Sequence, residues 1–386
     1  MTAIAAVVLL LSGPTTSAPI HAQATRARNV VIVTIDGFRW QEMFTGAERA
    51  LFRQTSTGEP GDAEKRFWRN TADARRAAMM PFFWSVVATR GQVFGDPSRK
   101  SVSRVTNGLW FSYPGYNELL TGAPDPRIDS NDKVPNPNVT VLEWLNGRPG
   151  FQGRVAAFGT WDVLPFILNV VRSRLPVGDA AQPVPLPKTD RERAINDLAA
   201  DLPPYWPGVP FDAPIMHASL ESLRTRQPRV LYVMLGETDE WAHEGRYDLY
   251  LDAAFRSDRF LQRLWEALQA LPGYANQTAL IVTTDHGRGA TTTDWTDHGR
   301  KVPAAEATWM AVMGPGVPAL GVRESVTVTA AQVAATAAAL VGEDFRAAIP
   351  AAAEPLPGVI ATSARRASEP RERAARTERG SRGPRE

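Results

Sequence analysis

Three of the five histidines in this 386-residue chain stand beside carboxylates: His243 four residues after Asp239, His286 directly after Asp285, and His298 directly after Asp297. A lone histidine is more often a satisfied polar residue than a ligand. Repeated pairing with Asp argues instead for metal, since neutral imidazole and carboxylate are the usual oxygen and nitrogen ligands of Zn²⁺ and also suit Mn²⁺ or Fe. The i, i+4 spacing of Asp239 and His243 puts both on one face of a helical turn, within reach of one ion. The chain has no cysteine, which excludes disulfides, thiolate zinc sites and a cysteine nucleophile. His217 has no acidic neighbour close by and reads as structural, and His21 falls in the N-terminal segment discussed below.

Elements that deliver such residues to one place follow from hydrophobic patterning. Asn29 to Ile35, Arg229 to Leu235 and Thr278 to Thr283 are near-continuous aliphatic or β-branched runs, as expected for parallel strands buried on both faces. Each leads to an aspartate: Asp36, Asp239 and Asp285. In open α/β sheets, ligand sites form beyond the carboxyl ends of the strands, so three carboxylates on one rim predict a metal site. Trp309 to Met313 reads as a fourth strand. Helices are expected over Pro81 to Arg90, Asn117 to Thr121, His217 to Thr225, Tyr250 to Leu271 and Ala330 to Leu340. The apolar stripe of the fourth of these, from Leu251 to Leu268, reads as core packing on the sheet.

The ordered set Thr34-Ile35-Asp36-Gly37, Ser112-Tyr113-Pro114 leading to Leu120-Thr121-Gly122, Glu237-Thr238-Asp239 with His243, Thr284-Asp285-His286-Gly287, and His298-Gly299 resembles the motifs of the alkaline phosphatase superfamily. The branch it is most similar to is that of the nucleotide pyrophosphatase/phosphodiesterase-like enzymes and related exported phosphatases, with some likeness to cofactor-independent phosphoglycerate mutases. The resemblance runs from about Asn29 to Glu343. It implies an α/β, alkaline-phosphatase-like three-layer sandwich, with a mainly parallel central sheet flanked by helices and rim insertions. It further implies two divalent ions, one held by Asp239, His243 and His298, the other by Asp36, Asp285 and His286 with the hydroxyl of Ser112. Ser112 would be the nucleophile, at a helix N-terminus that favours an anion, and would pass through a phosphoseryl intermediate.

Diesterases of this branch usually carry Thr at the nucleophile and Asn three residues on, where this chain has Ser112 and Gly115. Their phosphoryl-contacting Asn sits in an Ile-Asp-Asn context, which Ile128-Asp129-Ser130-Asn131 approximates, so Asn131 is the candidate and Asn136 the reserve. A sulfatase reading starts from Ser112-Tyr113-Pro114 but has Tyr116 where the formylglycine signal needs Arg. A mutase would be longer and carry a second domain. A secreted metal-binding protein without turnover is the non-enzyme alternative.

At 44% hydrophobic and 22% charged residues, the chain is globular in composition. Residues 1–24 hold an apolar run, Ala3 to Leu11, then Ala22-Gln23-Ala24, the order of a secretory signal and its cleavage site, so export to the periplasm or medium is expected. The run is too short for a lasting membrane anchor. The catalytic domain is expected over 25–350, with insertions near 45–75 and 175–210; Gly287-Arg288-Gly289 reads as a turn, and Trp161 and Asp162 as candidates for the cleft wall. A disordered Arg-rich tail is expected over 351–386. Its last 26 residues, Ala361 to Glu386, carry eight Arg and four Glu against a net charge of +2 for the whole chain, so the body is slightly acidic and gives no nucleic-acid signal. The expected partner is a small-molecule phosphate ester.

Overall fold

The computed structural model describes residues 26–360 apart from 54, 55 and 57; the expected signal segment and the tail beyond 360 lie outside the described residues. Ten strands are present among them: β1 (Asn29–Ile35), β2 (Gly91–Phe94), β3 (Ser101–Arg104), β4 (Val155–Gly159), β5 (Val177–Gly178), β6 (Val230–Leu235), β7 (Thr278–Thr283), β8 (Met310–Met313), β9 (Gly321–Val322) and β10 (Val326–Thr329). Eight form one sheet in the order β5-β4-β6-β1-β7-β8-β2-β9, and β10 pairs with β3 apart from it. Pairing is parallel from β5 through β7; β8 runs antiparallel to both of its neighbours.

The central strands are buried on both faces, and their alternation divides the core in two. Val31, Val33 and Ile35 join Leu231, Val233, Leu280 and Val282 in one cluster; Val30, Ile32, Tyr232, Met234 and Ile281 belong to the other. This is the period of two expected of a pleated strand. On the first face the sheet packs against helices Asp212–Thr225 and Tyr247–Ala270, through Ile215, Leu251, Leu261 and Leu264. On the second, helices Ser112–Thr121, Val141–Asn146 and Gln332–Leu340 supply Leu119, Leu142 and Val333. The result is the expected three-layer α/β sandwich.

Both rim insertions contain helices. Asp62–Phe67 and Ala72–Met79 lie in the first, and Asp190–Asp201 in the second, where Thr189 and Glu192 form a capping box. The expected helix over 81–90 is present with a π-helical stretch at Phe83–Val87, and the buried Asp258 carboxylate accepts from the Phe82 and Phe83 amides. Residues 351–360, assigned to the tail on composition, pack on the second core through Ala352, Leu356 and Val359. Residues 351–360 therefore belong to the packed body rather than to a tail, because three well-spaced apolar residues are enough to dock a segment that otherwise reads as polar.

Candidate metal and nucleophile site

Four adjacent parallel strands end on the same edge. β4 leads to Trp161, β6 through Gly236 into helix Glu237–His243, β1 to Asp36, and β7 to Asp285 and His286. At Gly37 the chain turns with φ +56°, and an added Cβ would lie 2.4 Å from Asp239 Oδ1, so the turn after β1 admits no side chain. Gly115 is similarly constrained. A Cβ there would meet Asp285 O at 2.6 Å, so helix Ser112–Thr121 rests directly against the end of β7 and an Asn has no room at this position.

The six ligand candidates and Ser112 converge. His286 Nε2 lies 3.4 Å from Asp36 Oδ1, 3.4 Å from Asp285 Oδ2 and 3.3 Å from Ser112 Oγ. His243 Nε2 lies 3.0 Å from His298 Nε2 and 3.1 Å from Asp239 Oδ2. Donor atoms of Asp36, Asp285 and His286 form one compact group; those of Asp239, His286 and His298 form another, with His286 between them. Tetrahedral bonds of about 2.0–2.1 Å place neighbouring ligand atoms about 3.3–3.4 Å apart. The buried oxygens Asp36 Oδ1 and Asp285 Oδ2 have no hydrogen-bond partner and stand at that separation from the imidazole nitrogen, an arrangement that fits a cation.

The electrostatics point the same way. Burial, then the neighbouring carboxylate of Asp239, pushes the Asp36 pKa up; burial, then Asp36, holds Asp285 well above the usual range. Burial alone would lower His286, but Asp285, Asp36 and Asp239 carry it up to about 9. Asp239 behaves oppositely: against the effect of burial, Arg288, His298 and His243 hold it well below the usual carboxylate range. Burial and the adjacent His286 hold His298 well below an ordinary histidine. The Asp36/Asp285 side thus crowds two buried carboxylates whose ionised forms a divalent ion would stabilise.

Several supporting residues escaped the sequence reading. Tyr116, at the position where a sulfatase signal needs Arg, is buried and donates to Asp36 Oδ2 at 2.8 Å. Thr238 Oγ1 donates to the Asp36 carbonyl at 2.5 Å. Arg288, assigned to a turn, is fully buried: its Nη2 donates to Asp239 O and Oδ1 at 2.9 and 2.6 Å, and its Nη1 to Thr296 O at 2.7 Å. Its setting between two small glycines hid it, since arginine is rarely buried without a partner and the partner is 49 residues away. Glu118, buried on the nucleophile helix, accepts from the Thr106 amide and hydroxyl and from the Asn107 amide and side chain, tying down the loop before Ser112. In that loop Trp110 adopts φ +57°, a backbone conformation costly for a bulky residue.

Ser112 opens its helix as expected, but the first turn offers few free donors. Pro114 has no N–H, the Gly115 amide bonds Phe111 O, and the Tyr113 amide is taken by Asn131 Oδ1 at 3.0 Å. The Asn131 side chain is thereby tied to the first turn of that helix. Asn131 lines a cavity of about 170 Å³ together with Ser112, Asp36, Asp239, His243, His298, Trp161, Val209, Gly236 and Glu240. Asn136 lies elsewhere, buried against Asn117 Oδ1 at 3.2 Å. His217 is exposed on helix Asp212–Thr225 and takes no part in the cluster. Asp162 sits on the rim, paired with Lys133 at 2.7 Å. Glu240, in the cavity wall, is pushed up to about 8 by burial and by the charges of Asp239 and Asp36.

Solved structures share this fold at low identity. The phosphonate monoester hydrolase SpPMH from Silicibacter pomeroyi is similar with a TM-score of 0.53 and 14% identity, over 87% of this chain and 78% of that one. The lipoteichoic acid synthase LtaP from Listeria monocytogenes is similar with a TM-score of 0.52 and 10% identity, over 83% and 73%. No curated protein matches the chain in sequence. The type I phosphodiesterase / nucleotide pyrophosphatase family matches residues 54–382, most of the chain, and with the sandwich and its rim of aspartates and histidines in place, the protein belongs to that family, within the alkaline phosphatase superfamily.

Proposed function

We propose that the protein is a two-metal hydrolase of phosphate esters, with diesters the preferred substrates, acting through Ser112. The observation that carries this reading is the placement of Ser112 Oγ 3.3 Å from His286 Nε2, beside two groups of ligand atoms and in the wall of a cavity that Asp36, Asp239, His243 and His298 also line. Asp36, Asp285 and His286 would hold one ion, with Ser112, and Asp239, His243 and His298 the other. Two divalent ions, most simply Zn²⁺ with Mn²⁺ or Fe as alternatives, supply charge neutralisation for phosphoryl oxygens and acidify a nearby hydroxyl.

The chain's own groups do the rest. Helix Ser112–Thr121, seated on Asp285 through Gly115, fixes Ser112 in the cavity wall, and its dipole favours the developing negative charge. Oγ of Ser112 bonds phosphorus as the P–O bond to the leaving alcohol breaks and the serine proton ends on the departing alcohol oxygen, with the Asn131 amide available to donate to a phosphoryl oxygen. A water then displaces Ser112 from the phosphoseryl ester and restores the free hydroxyl. Tyr116 and Arg288 hold Asp36 and Asp239 in place while this occurs.

Preference for diesters rests on charge. None of the ten lining residues is Lys or Arg, so no side-chain cation in the cavity wall compensates the extra charge that a monoester dianion carries over a diester monoanion. Tyr116, bound to Asp36 in place of an Arg, speaks against a sulfatase. Export with cleavage after Ala24 rests on the N-terminal apolar run and Ala22-Gln23-Ala24; separately, no helix among the described residues is long and apolar enough to cross a membrane.

The test is a parallel assay of zinc-reconstituted protein on aryl phosphate diester, monoester, phosphonate and sulfate substrates, with Ser112→Ala as control. Highest kcat/KM on the diester, lost in the variant, is the expected result. Sulfate as the best substrate, or a fully active Ser112→Ala, would overturn the reading.

A further inference from the structure

We propose that the two ion sites are unequal: the Asp36/Asp285/His286 site keeps its ion, whereas the Asp239/His243/His298 site holds a loosely bound, exchangeable one. The proposal rests on the two-ion reading above and goes beyond it, and three independent features of the structure carry it.

The first is charge. The Asp36/Asp285/His286 site offers two carboxylates with no cationic side chain bonded to either. The other offers one, Asp239, and Arg288 already occupies its Oδ1 at 2.6 Å while also bonding its backbone carbonyl. A fixed, fully buried guanidinium in contact with the only carboxylate opposes any further cation there, and burial keeps that repulsion unscreened. Arg288 cannot relieve it by shedding its proton.

The second is access. The side chains of Asp285 and His286 are sealed from solvent at 0% and Asp36 at 7%. His243 is 40% exposed and His298 13%, and both open onto the cavity. Water and competing ligands reach an ion at the second site first.

The third is orientation. His286 Nδ1 donates to Gly287 O at 2.9 Å, which fixes the ring with Nε2 facing the ion. His298 Nδ1 is buried with no partner, so no outer hydrogen bond orients the ring that would face the second ion. Outer contacts of this kind are worth about 10–100-fold in metal affinity.

The experiment titrates the metal-free full chain with Zn²⁺ against a competing chelator, with stoichiometry read by elemental analysis and folding by circular dichroism. Two classes of site at least 100-fold apart are expected. His243→Ala should delete the weak class alone and Asp285→Asn the tight one. Arg288→Met should tighten the weak class at least tenfold, and Arg288→Lys, which keeps the charge, should preserve the gap. Equal affinities in the unmodified chain, loss of the tight class in His243→Ala, or further weakening of the second ion in a folded Arg288→Met would overturn the proposal. If Arg288→Met does not fold, the unmodified chain and His243→Ala still decide. Two equal ions would defeat only this inference, whereas failure to bind any ion would defeat the two-ion function itself.

Discussion

The two halves of the cluster are built on different kinds of backbone. Asp36, Asp285 and His286 follow directly from β1 and β7, neighbouring strands in exact register from Asn29 opposite Thr278 to Thr34 opposite Thr283. Asp239 and His243 ride on a seven-residue helix, and His298 ends an irregular loop that begins after His286. Strand ends inherit their positions from the sheet. The helix and loop need staples: Arg288 joins Asp239 to Thr296, Gly289 N bonds Asp297 O at 3.0 Å, and the buried Arg39 donates to Gly289 O at 2.9 Å while paired with Glu42. The half fixed by the sheet is sealed and rich in carboxylate, and the stapled half is open, where substrate must enter and leaving groups depart. Rigidity and access are thus separated in one site rather than compromised throughout it.

The largest effect expected from this contrast is in His286→Ala. Because His286 stands between both groups of ligand atoms, its loss should remove both ions and lower kcat/KM by on the order of 10³-fold or more, as for catalytic groups that act as a unit. His243→Ala should retain one equivalent of metal and fall less. Equal damage and equal metal content in the two variants would erase the distinction between the halves.

Proton release separates them next. In the metal-free protein His286 is raised to about 9, so it is protonated at neutral pH and must give up a proton to bind an ion. Affinity at the sealed site should therefore rise with pH through neutrality, by about tenfold per unit for each proton released, and level off above about 9. Asp239 and His298, both held well below their ordinary values, are already deprotonated at neutral pH, so the second ion should bind with little proton release. Calorimetry of the two binding phases in buffers of different ionisation enthalpy checks this.

A smaller effect belongs to the nucleophile loop. Glu118→Gln removes acceptor capacity from four donors on Thr106 and Asn107 and should cost about 1–3 kcal/mol of stability. Loosening the strained turn at Trp110 should also lower kcat about tenfold while metal content stays unchanged. Smallest of all, Asn131→Ala should lose the contact to the Tyr113 amide at a cost of about 1 kcal/mol, with a modest loss of turnover and both ions retained.

The same contrast governs what could be read from the chain beforehand. β1 and β7 match the expected Asn29 to Ile35 and Thr278 to Thr283 residue for residue, because strands buried on both faces are written as unbroken aliphatic runs. β4, Val155–Gly159, escaped because Ala156, Ala157 and Gly159 dilute the β-branched signal, and β2 and β9 are too short to show a period. Helix Asp212–Thr225 begins five residues before the expected His217, since Pro214 reads as a break but is tolerated in a first turn. The ligand residues themselves were legible because each carries its chemistry beside it in sequence. Arg288, Tyr116 and Glu118 were not, because their meaning depends on partners 49, 80 and 12 residues distant, which only the fold brings together.

The central claim is that Ser112 attacks phosphorus, and acid quenching of zinc-loaded enzyme during turnover of an aryl phosphate diester tests it most directly. The serine hydroxyl is a weak nucleophile unless activated, and among the described residues its one side-chain hydrogen-bond partner is His286 of the cluster, 3.3 Å from Oγ. The account predicts that mass spectrometry of the peptide containing Ser112 will show an added phosphoryl group still carrying the non-leaving ester, absent in Ser112→Ala, which should keep both metals yet lose most turnover. An unmodified Ser112 throughout turnover, with Ser112→Ala fully active, would show that water attacks directly and would contradict it.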